Sequence, residues 1–309
     1  MNYSFKKISS SYLTDISKLY EDCFNLKVNV SELKQKYDTS VFGESYTGFI
    51  ALDEDREVGA YYGVFPLIVN CKGKEYLVGQ SGDTMTAVNH RKKGLFTKLA
   101  KETYQLCEEL NMAFVFGFPN ENSLPGFEKK LGWKFYGNMQ MFTFHDSFLI
   151  PYCELASKFK SIQSPYKSFI KKKMSKYLIS EDELNLSTNN SVVKDKRFFH
   201  YKMKNSNDIY LIKINDFKMV IKAKPHLMIG DVEPFEKDRL DQFLNTIKSL
   251  QRIVKAKKAQ IIISENHWLY SILSEVEKPS ASLPVGFYKI NSVIDYSEIS
   301  FSLLDYDTF

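Results

Sequence analysis

The chain has 309 residues, more than one hydrophobic core usually organises, because single cores stop growing at about 250–300 residues; two domains are expected. An apolar fraction of 44%, with 24 Phe and 19 Tyr, can fill such cores and excludes a disordered chain. The net charge of +5 is too slight for a dedicated nucleic-acid binder, so no nucleic-acid partner is expected, although a polyanionic small ligand remains compatible.

In chain order, a strand at 3–8 leads into a helix on which Leu13, Ile16, Leu19, Tyr20 and Phe24 recur at helical spacing. Ser31, Lys34 and Gln35 suggest a second short helix. Residues 47–69 read as two strands around an Asp53-Glu54-Asp55 turn, and Lys72-Gly73-Lys74 turns the chain into a third strand at 76–88. A helix over 95–110 carries Leu95, Leu99, Leu106 and Leu110 on one stripe. An apolar strand at 113–118, a polar turn at 119–123, a short helix ending at Leu131 with Gly132 as its stop, and a strand at 133–144 follow. The order implies an α/β (α+β) domain, a mixed and mostly antiparallel sheet flanked by helices.

Beyond residue 146 the composition turns helical and basic, with Lys167, Lys171, Lys172, Lys173 and Lys176 interleaved with apolar residues as on a solvated amphipathic helix. Residues 187–191 read as a loop. Strands at 208–214 and 217–223, a helix at 236–255, a strand at 259–264, a short helix and strands at 285–290 and 300–304 then echo the first half in element order. Pro225 to Gly230 has no cation cluster beside its glycine, so this half lacks a recognisable pyrophosphate loop. The four cysteines, Cys23, Cys71, Cys107 and Cys153, lie far apart with no Cys-x-x-Cys pair, so neither a disulfide framework nor a metal is expected. No run approaches the ~18 apolar residues of a membrane span and the N-terminus lacks an apolar signal core, which predicts a cytoplasmic protein.

The chemistry concentrates between the third strand and the helix after it. Arg91-Lys92-Lys93-Gly94 places cations, a permissive glycine and the free amides of a helix start together, which makes an anion cradle suited to a diphosphate. About two dozen residues downstream, Asn120-Glu121-Asn122-Ser123 is followed by Phe127 and by Leu131-Gly132-Trp133. With both motifs in this order, residues 1–145 resemble the GNAT (Gcn5-related N-acetyltransferase) superfamily. Arg91-Lys92-Lys93-Gly94-Leu95-Phe96 fits its acyl-CoA motif at all but the last position, where Phe96 stands for a small residue. The resemblance implies that Thr86, Ala87 and Val88 pair the pantetheine through the backbone. It also implies that Arg91, Lys92, Lys93, Gly94, Leu95, Phe96 and Thr97 hold the pyrophosphate, with Asn122, Ser123 and Phe127 completing the acyl-CoA site.

An amine that attacks a thioester must be neutral, and the departing thiolate is helped by a hydrogen-bond donor. Many enzymes of the superfamily supply that donor from a tyrosine at the position where this chain has Phe127, which leaves Tyr136 and Ser123 as the nearest substitutes. Asp83 and His90 are candidate bases, against simpler readings as a turn residue and a loop-capping residue; Glu44 and Glu121 are further carboxylates that could steer an ammonium. The ending Phe301 to Phe309, with Arg197-Phe198-Phe199 before a Tyr-rich strand, resembles the C-terminal half of tandem-GNAT proteins, which implies a catalytic domain over 1–146 and a degenerate copy over 147–309 that closes the acceptor pocket. Such a tandem resembles bacterial N-acyltransferases acting on nucleotide-linked amino sugars. It implies acetyl-CoA or 3-hydroxybutanoyl-CoA as donor and a dTDP-linked 3-amino-3,6-dideoxy sugar of surface-polysaccharide synthesis as acceptor. Aminoglycoside or polyamine acetylation, and an acyl-CoA-binding module without turnover, are the alternatives; the oligomeric state is open.

Overall fold

The computed structural model describes residues 2–147, 150–186, 188–206, 208–291 and 294–309, so Ser187 of the expected 187–191 loop lies outside the described residues. The chain divides into two compact units, Met1–Tyr136 with Leu283–Ser297, and Gly137–Ser282 with Glu298–Phe309. Where the sequence suggested one boundary after residue 146, the units cut at 136, 282 and 297.

The first unit runs β1 (Ser4–Lys7), α1 (Leu13–Phe24), α2 (Val30–Tyr37), β2 (Gly48–Leu52), β3 (Val58–Cys71), β4 (Lys74–Thr86), α3 (Leu95–Glu109), β5 (Phe114–Gly117) and α4 (Leu124–Leu131). Its strands lie in the order β1-β2-β3-β4-β5, antiparallel except for the parallel β4–β5 pair. Adjacent residues of β3 point to opposite faces, as the pleat requires. Tyr61 joins Leu13, Ile16 and Leu19 of α1 on one face, while Tyr62 joins Leu95, Leu99 and Tyr104 of α3 on the other. Each such leucine, removed from water, favours folding by about 1.5–3 kcal/mol. Phe24 departs from the expected stripe and is exposed. Gly132 ends α4 in the left-handed region, at φ 72°.

The second unit begins with β6 (Lys134–His145), followed by α5 (Tyr152–Lys158), α6 (Lys160–Met174), the two-residue β7 (Ser191–Val192) and α7 (Lys196–Asn205). Next come β8 (Ile209–Ile214), β9 (Phe217–Ala223), β10 (Leu227–Val232), α8 (Leu240–Val254), β11 (Lys258–Ile263) and α9 (Trp268–Leu273), after which β12 (Ser280–Lys289) belongs to the first unit from Leu283 onward. β8, β9 and β10 form an antiparallel meander, β11 runs parallel to β10, and β6 pairs antiparallel with β11. β12 in turn pairs antiparallel with β5 of the first unit's sheet, matching Gly286 to Gly117. A side chain at Gly286 would collide with the rings of Phe135 and Trp133, so glycine lets this late strand settle there.

The structure has one strand that the sequence did not predict and lacks one that it did. Leu227 to Val232 form β10, where Leu227 and Ile229 are fully buried. That alternation is too short to read against Pro225 and Gly230. The strand expected at 300–304 is instead a pair of isolated bridges and a 3-10 turn at Leu303–Asp305, because the Asp305 carboxylate accepts the Ser302 amide at 2.7 Å and bends the chain. Among the described residues no helix is long and apolar enough to cross a membrane.

The second unit encloses a charged cluster. Lys194 pairs with Asp305 at 3.0 Å and with Asp231 at 3.2 Å, and the Ser302 hydroxyl donates to Asp231 at 3.0 Å. Burial alone would push the Asp231 carboxyl up, but the Lys194 ammonium and the His267 ring beside it hold it down to about 2. Because this lies below the ordinary 3.8, the carboxylate stabilises the fold above about pH 4, and that contribution is lost as pH falls toward 2. Replacing Lys194 by Met leaves buried carboxylates without their cation and is expected to cost about 3–5 kcal/mol. Thermal unfolding at pH 7 checks it: a clear drop in midpoint is expected, and an unchanged midpoint would show the cluster to be dispensable.

Candidate active site

β4 and β5 part company early. Their parallel pairing covers Gly79 with Val115 and Gln80 with Phe116, so from Ser81 onward β4 runs beside β5 without continuing that ladder. On its other edge β4 slips register: Tyr61 faces Met85, but Gly63 faces Gly82, so Asp83 and Thr84 both stand opposite Tyr62. This is a β-bulge, and Asp83 adopts φ 52° within it. A bulge bends its strand, here just where a second neighbour is lost, and the result is a fork in the sheet.

β4 leads from the fork to the start of α3 through a 3-10 turn at Val88–His90 and the Arg91-Lys92-Lys93-Gly94 loop. Lys92 and Gly94 both adopt positive φ, 63° and 74°. Apart from its immediate chain neighbours, no atom of the described residues lies within 4 Å of where a Cβ on Gly94 would sit, so the backbone there is open to an incoming group. Lys98 makes the first helical bond, to the Gly94 carbonyl, which leaves the amides of Leu95, Phe96 and Thr97 at the positive end of the helix dipole. Lys93 and Lys98, with Asn2 and Tyr3, line an adjoining cavity of about 590 Å³. Open backbone, helix start and cations together fit a diphosphate group.

Several expected contacts are taken up inside the chain. The Ala87 amide donates to Gly59 at 3.0 Å and its carbonyl accepts from His90 at 2.9 Å, so the strand edge open toward β5 lies earlier, over residues 81–86. Val88 is exposed and Thr86 closes β4, where its carbonyl accepts from the Arg91 side chain at 3.2 Å. The His90 ring is hydrogen-bonded to the Tyr3 hydroxyl at 2.8 Å and lies over Gly59, where a Cβ would come within 2.6 Å of it. His90 therefore braces the junction against β1 and β3.

At the second motif, Asn120 Oδ1 accepts the amides of Asn122 and Ser123, both at 3.1 Å, and so shapes the turn before α4. Phe127 is 4% exposed, its ring 4.6 Å from Trp133 and 5.3 Å from Phe96. The Phe96 ring lies against Gly126, so the small residue absent from position 96 is present on the facing helix. Tyr136 sits on an aromatic group with Phe287 and Tyr296, at 5.8 and 6.1 Å, and among the described residues makes no hydrogen bond to the fork.

On the opposite face, Asp83 is paired with Lys36 at 2.7 Å, with side-chain exposures of 9% and 21%. Tyr20, Tyr37 and Tyr61 surround them, all buried. Burial, reinforced by the Asp83 carboxylate, pushes all three phenols up, so each stays a neutral donor. A carboxylate so placed is a good counter-charge for an ammonium. Glu44 is paired with Lys7 at 3.0 Å, and Glu121 is exposed in its turn. Lys36 and the three tyrosines carry no local sequence signal, because they converge from α1, α2 and β3.

Residues 4–136 match the family model described as Acetyltransferase (GNAT) domain. This segment is a GNAT acetyltransferase domain. The class is that of acyl-CoA-dependent N-acyltransferases, and the fork, junction and bulge all lie within the matched segment. A crystal structure of a GCN5-related N-acetyltransferase from Kribbella flavida aligns over 94% of this chain and 71% of its own, at 12% identity and TM-score 0.62. Another, from Anabaena variabilis, aligns over 94% of this chain and 73% of its own, at 12% identity and TM-score 0.59. At such identities the likeness is one of fold, and it extends beyond the matched segment. No curated protein matches the chain in sequence.

Replacing Gly94 by Glu puts a carboxylate and a strained positive-φ side chain at the open junction. Affinity for coenzyme A by calorimetry is expected to fall on the order of a hundredfold, about 2.7 kcal/mol, with the fold intact by circular dichroism. Unchanged affinity would mean that the diphosphate lies elsewhere.

Proposed function

We propose that this chain moves an acyl group from acyl-CoA, with acetyl-CoA or 3-hydroxybutanoyl-CoA as donor, to the primary amine of a small molecule. The open Gly94 junction at the start of α3, inside a GNAT domain, carries the reading. In it Arg91, Lys92, Lys93 and the amides of Leu95 to Thr97 hold the diphosphate, and the β4 edge from Ser81 to Thr86 guides the pantetheine to the bulge. Asn122, Ser123 and the Phe96–Phe127 contact support the far wall. The ammonium held at Asp83 first gives one proton to solvent; the freed lone pair attacks the thioester carbon, the carbon–sulfur bond breaks with its electrons on sulfur, and the nitrogen loses its second proton to solvent as the amide forms. Asp83 holds the incoming ammonium in place of Lys36, among the neutral phenols of Tyr20, Tyr37 and Tyr61.

The acceptor class we infer is a nucleotide-linked amino sugar such as a dTDP-linked 3-amino-3,6-dideoxy sugar. The modest positive charge and the tandem character of the chain support it. The tandem reading has support in the second unit, where an antiparallel meander, a helix and a parallel strand recur, with a register slip between Ile229 and Asp231 on β10.

Free-thiol release from acetyl-CoA with a panel of nucleotide amino sugars, aminoglycosides and polyamines tests the assignment. Turnover is expected with the nucleotide sugars; preference for the polycations would overturn the acceptor class, and coenzyme A binding without turnover on any amine would overturn the enzyme. Asp83→Asn is expected to lower kcat at least about tenfold with coenzyme A affinity unchanged. Equal turnover would reduce Asp83 to a residue of the bulge.

A further inference from the structure

With phenylalanine at position 127, α4 offers the leaving thiolate no hydroxyl, yet a chain of hydroxyls ends at the fork a short distance away. Trp133 Nε1 donates to the Tyr104 hydroxyl at 2.8 Å, Tyr104 is bonded to the Tyr62 hydroxyl at 2.8 Å, and Tyr62 to the Ser81 hydroxyl at 2.8 Å. The Tyr62 ring is 6.4 Å from Phe127, so the chain runs beside the position that lacks its tyrosine. Tyr62 and Tyr104 are buried, and Tyr288 stacks on Tyr104 at 4.1 Å.

One end of this chain is fixed by its donor, and the need to partner two buried phenol protons orders the rest. An indole N–H can only donate. The Tyr104 oxygen accepts it, and both buried phenol protons then find a partner when Tyr104 donates to Tyr62 and Tyr62 to Ser81, an arrangement that leaves the Ser81 hydrogen for a ligand. Aligned hydroxyls polarise one another, so the last donor is the strongest. Ser81 is half-buried, the first residue of β4 beyond the β4–β5 ladder, and a Cβ on Gly117 of β5 would lie 3.4 Å from it, so it sits at the base of the fork.

We propose that Ser81 is the hydrogen-bond donor to the thioester sulfur as it becomes a thiolate, with Tyr62, Tyr104 and Trp133 as the positioning residues that aim it. This rests on the acyl-transfer reading above. No proton leaves the chain: the carbon–sulfur bond breaks with both electrons on sulfur, Ser81 shares its hydrogen with that charge, and coenzyme A takes its proton from solvent. Burial pushes the Tyr62 and Tyr104 phenols up, so both keep their protons throughout.

The test compares the unaltered protein with Ser81→Ala, Ser81→Thr and Tyr62→Phe, using acetyl-CoA and the best amine of the panel. Ser81→Ala is expected to lose kcat on the order of tenfold to a hundredfold, with coenzyme A affinity by calorimetry unchanged. Threonine should restore most of the rate, and Tyr62→Phe should give a smaller loss. The distinguishing readout is the leaving group: with phenyl thioacetate, whose arenethiolate needs less help, the Ser81→Ala defect should shrink relative to S-acetyl-N-acetylcysteamine. Equal defects with the two donors, or full activity of Ser81→Ala, overturns the role of Ser81 while leaving acyl transfer standing. Absence of turnover by the unaltered protein overturns both.

Discussion

The loss of the β4–β5 ladder after Gln80 is the constraint that opens the first unit's sheet and shapes its candidate site. A parallel pair that stayed in register would close the sheet and leave no edge for a substrate. Two local features keep it open. The bulge at Asp83 and Thr84 bends β4 and re-aims its side chains, and the loop at Gly94 releases the strand into a helix whose first amides face the opening. Both use positive φ, Asp83 at 52° and Gly94 at 74°, and each therefore combines a backbone requirement with a chemical one.

The two faces of β3 then divide the work. Through Tyr62 it contributes to a wall of hydroxyls and aromatic rings shared with α3 and α4, and through Tyr61 to a wall of phenols around the Asp83–Lys36 pair. A one-residue shift of β3 would exchange these faces and turn Tyr61 toward α3 and Tyr62 toward the Asp83–Lys36 pair. The size exchange between Phe96 and Gly126 shows the same economy of space: the helices tolerate a large ring in the acyl-CoA motif because the facing helix yields a side chain.

Much of this was legible in the sequence, and unevenly. Elements with a long apolar period, such as α1, β3, α3 and α8, fall close to their expected bounds, because local periodicity reports burial directly. The Gly94 junction was legible because cations, a glycine and a helix start lie within a few residues. β10 was not, since its burial depends on neighbours on both sides, and neither was the turn at Leu303–Asp305, which the Asp305 side chain bends away from a strand.

By itself the sequence determined the class of the domain, the order of its elements and the cation-rich glycine junction at the start of α3, because each is encoded in residues adjacent along the chain. Tertiary structure alone decided that β12 completes the first unit's sheet and β6 the second's, and that Asp83 meets Lys36 across a separation of 47 positions. It alone brought Trp133, Tyr104, Tyr62 and Ser81 into one line. Such contacts join residues far apart in the chain through packing and hydrogen bonds, and no local pattern of amino acids carries them.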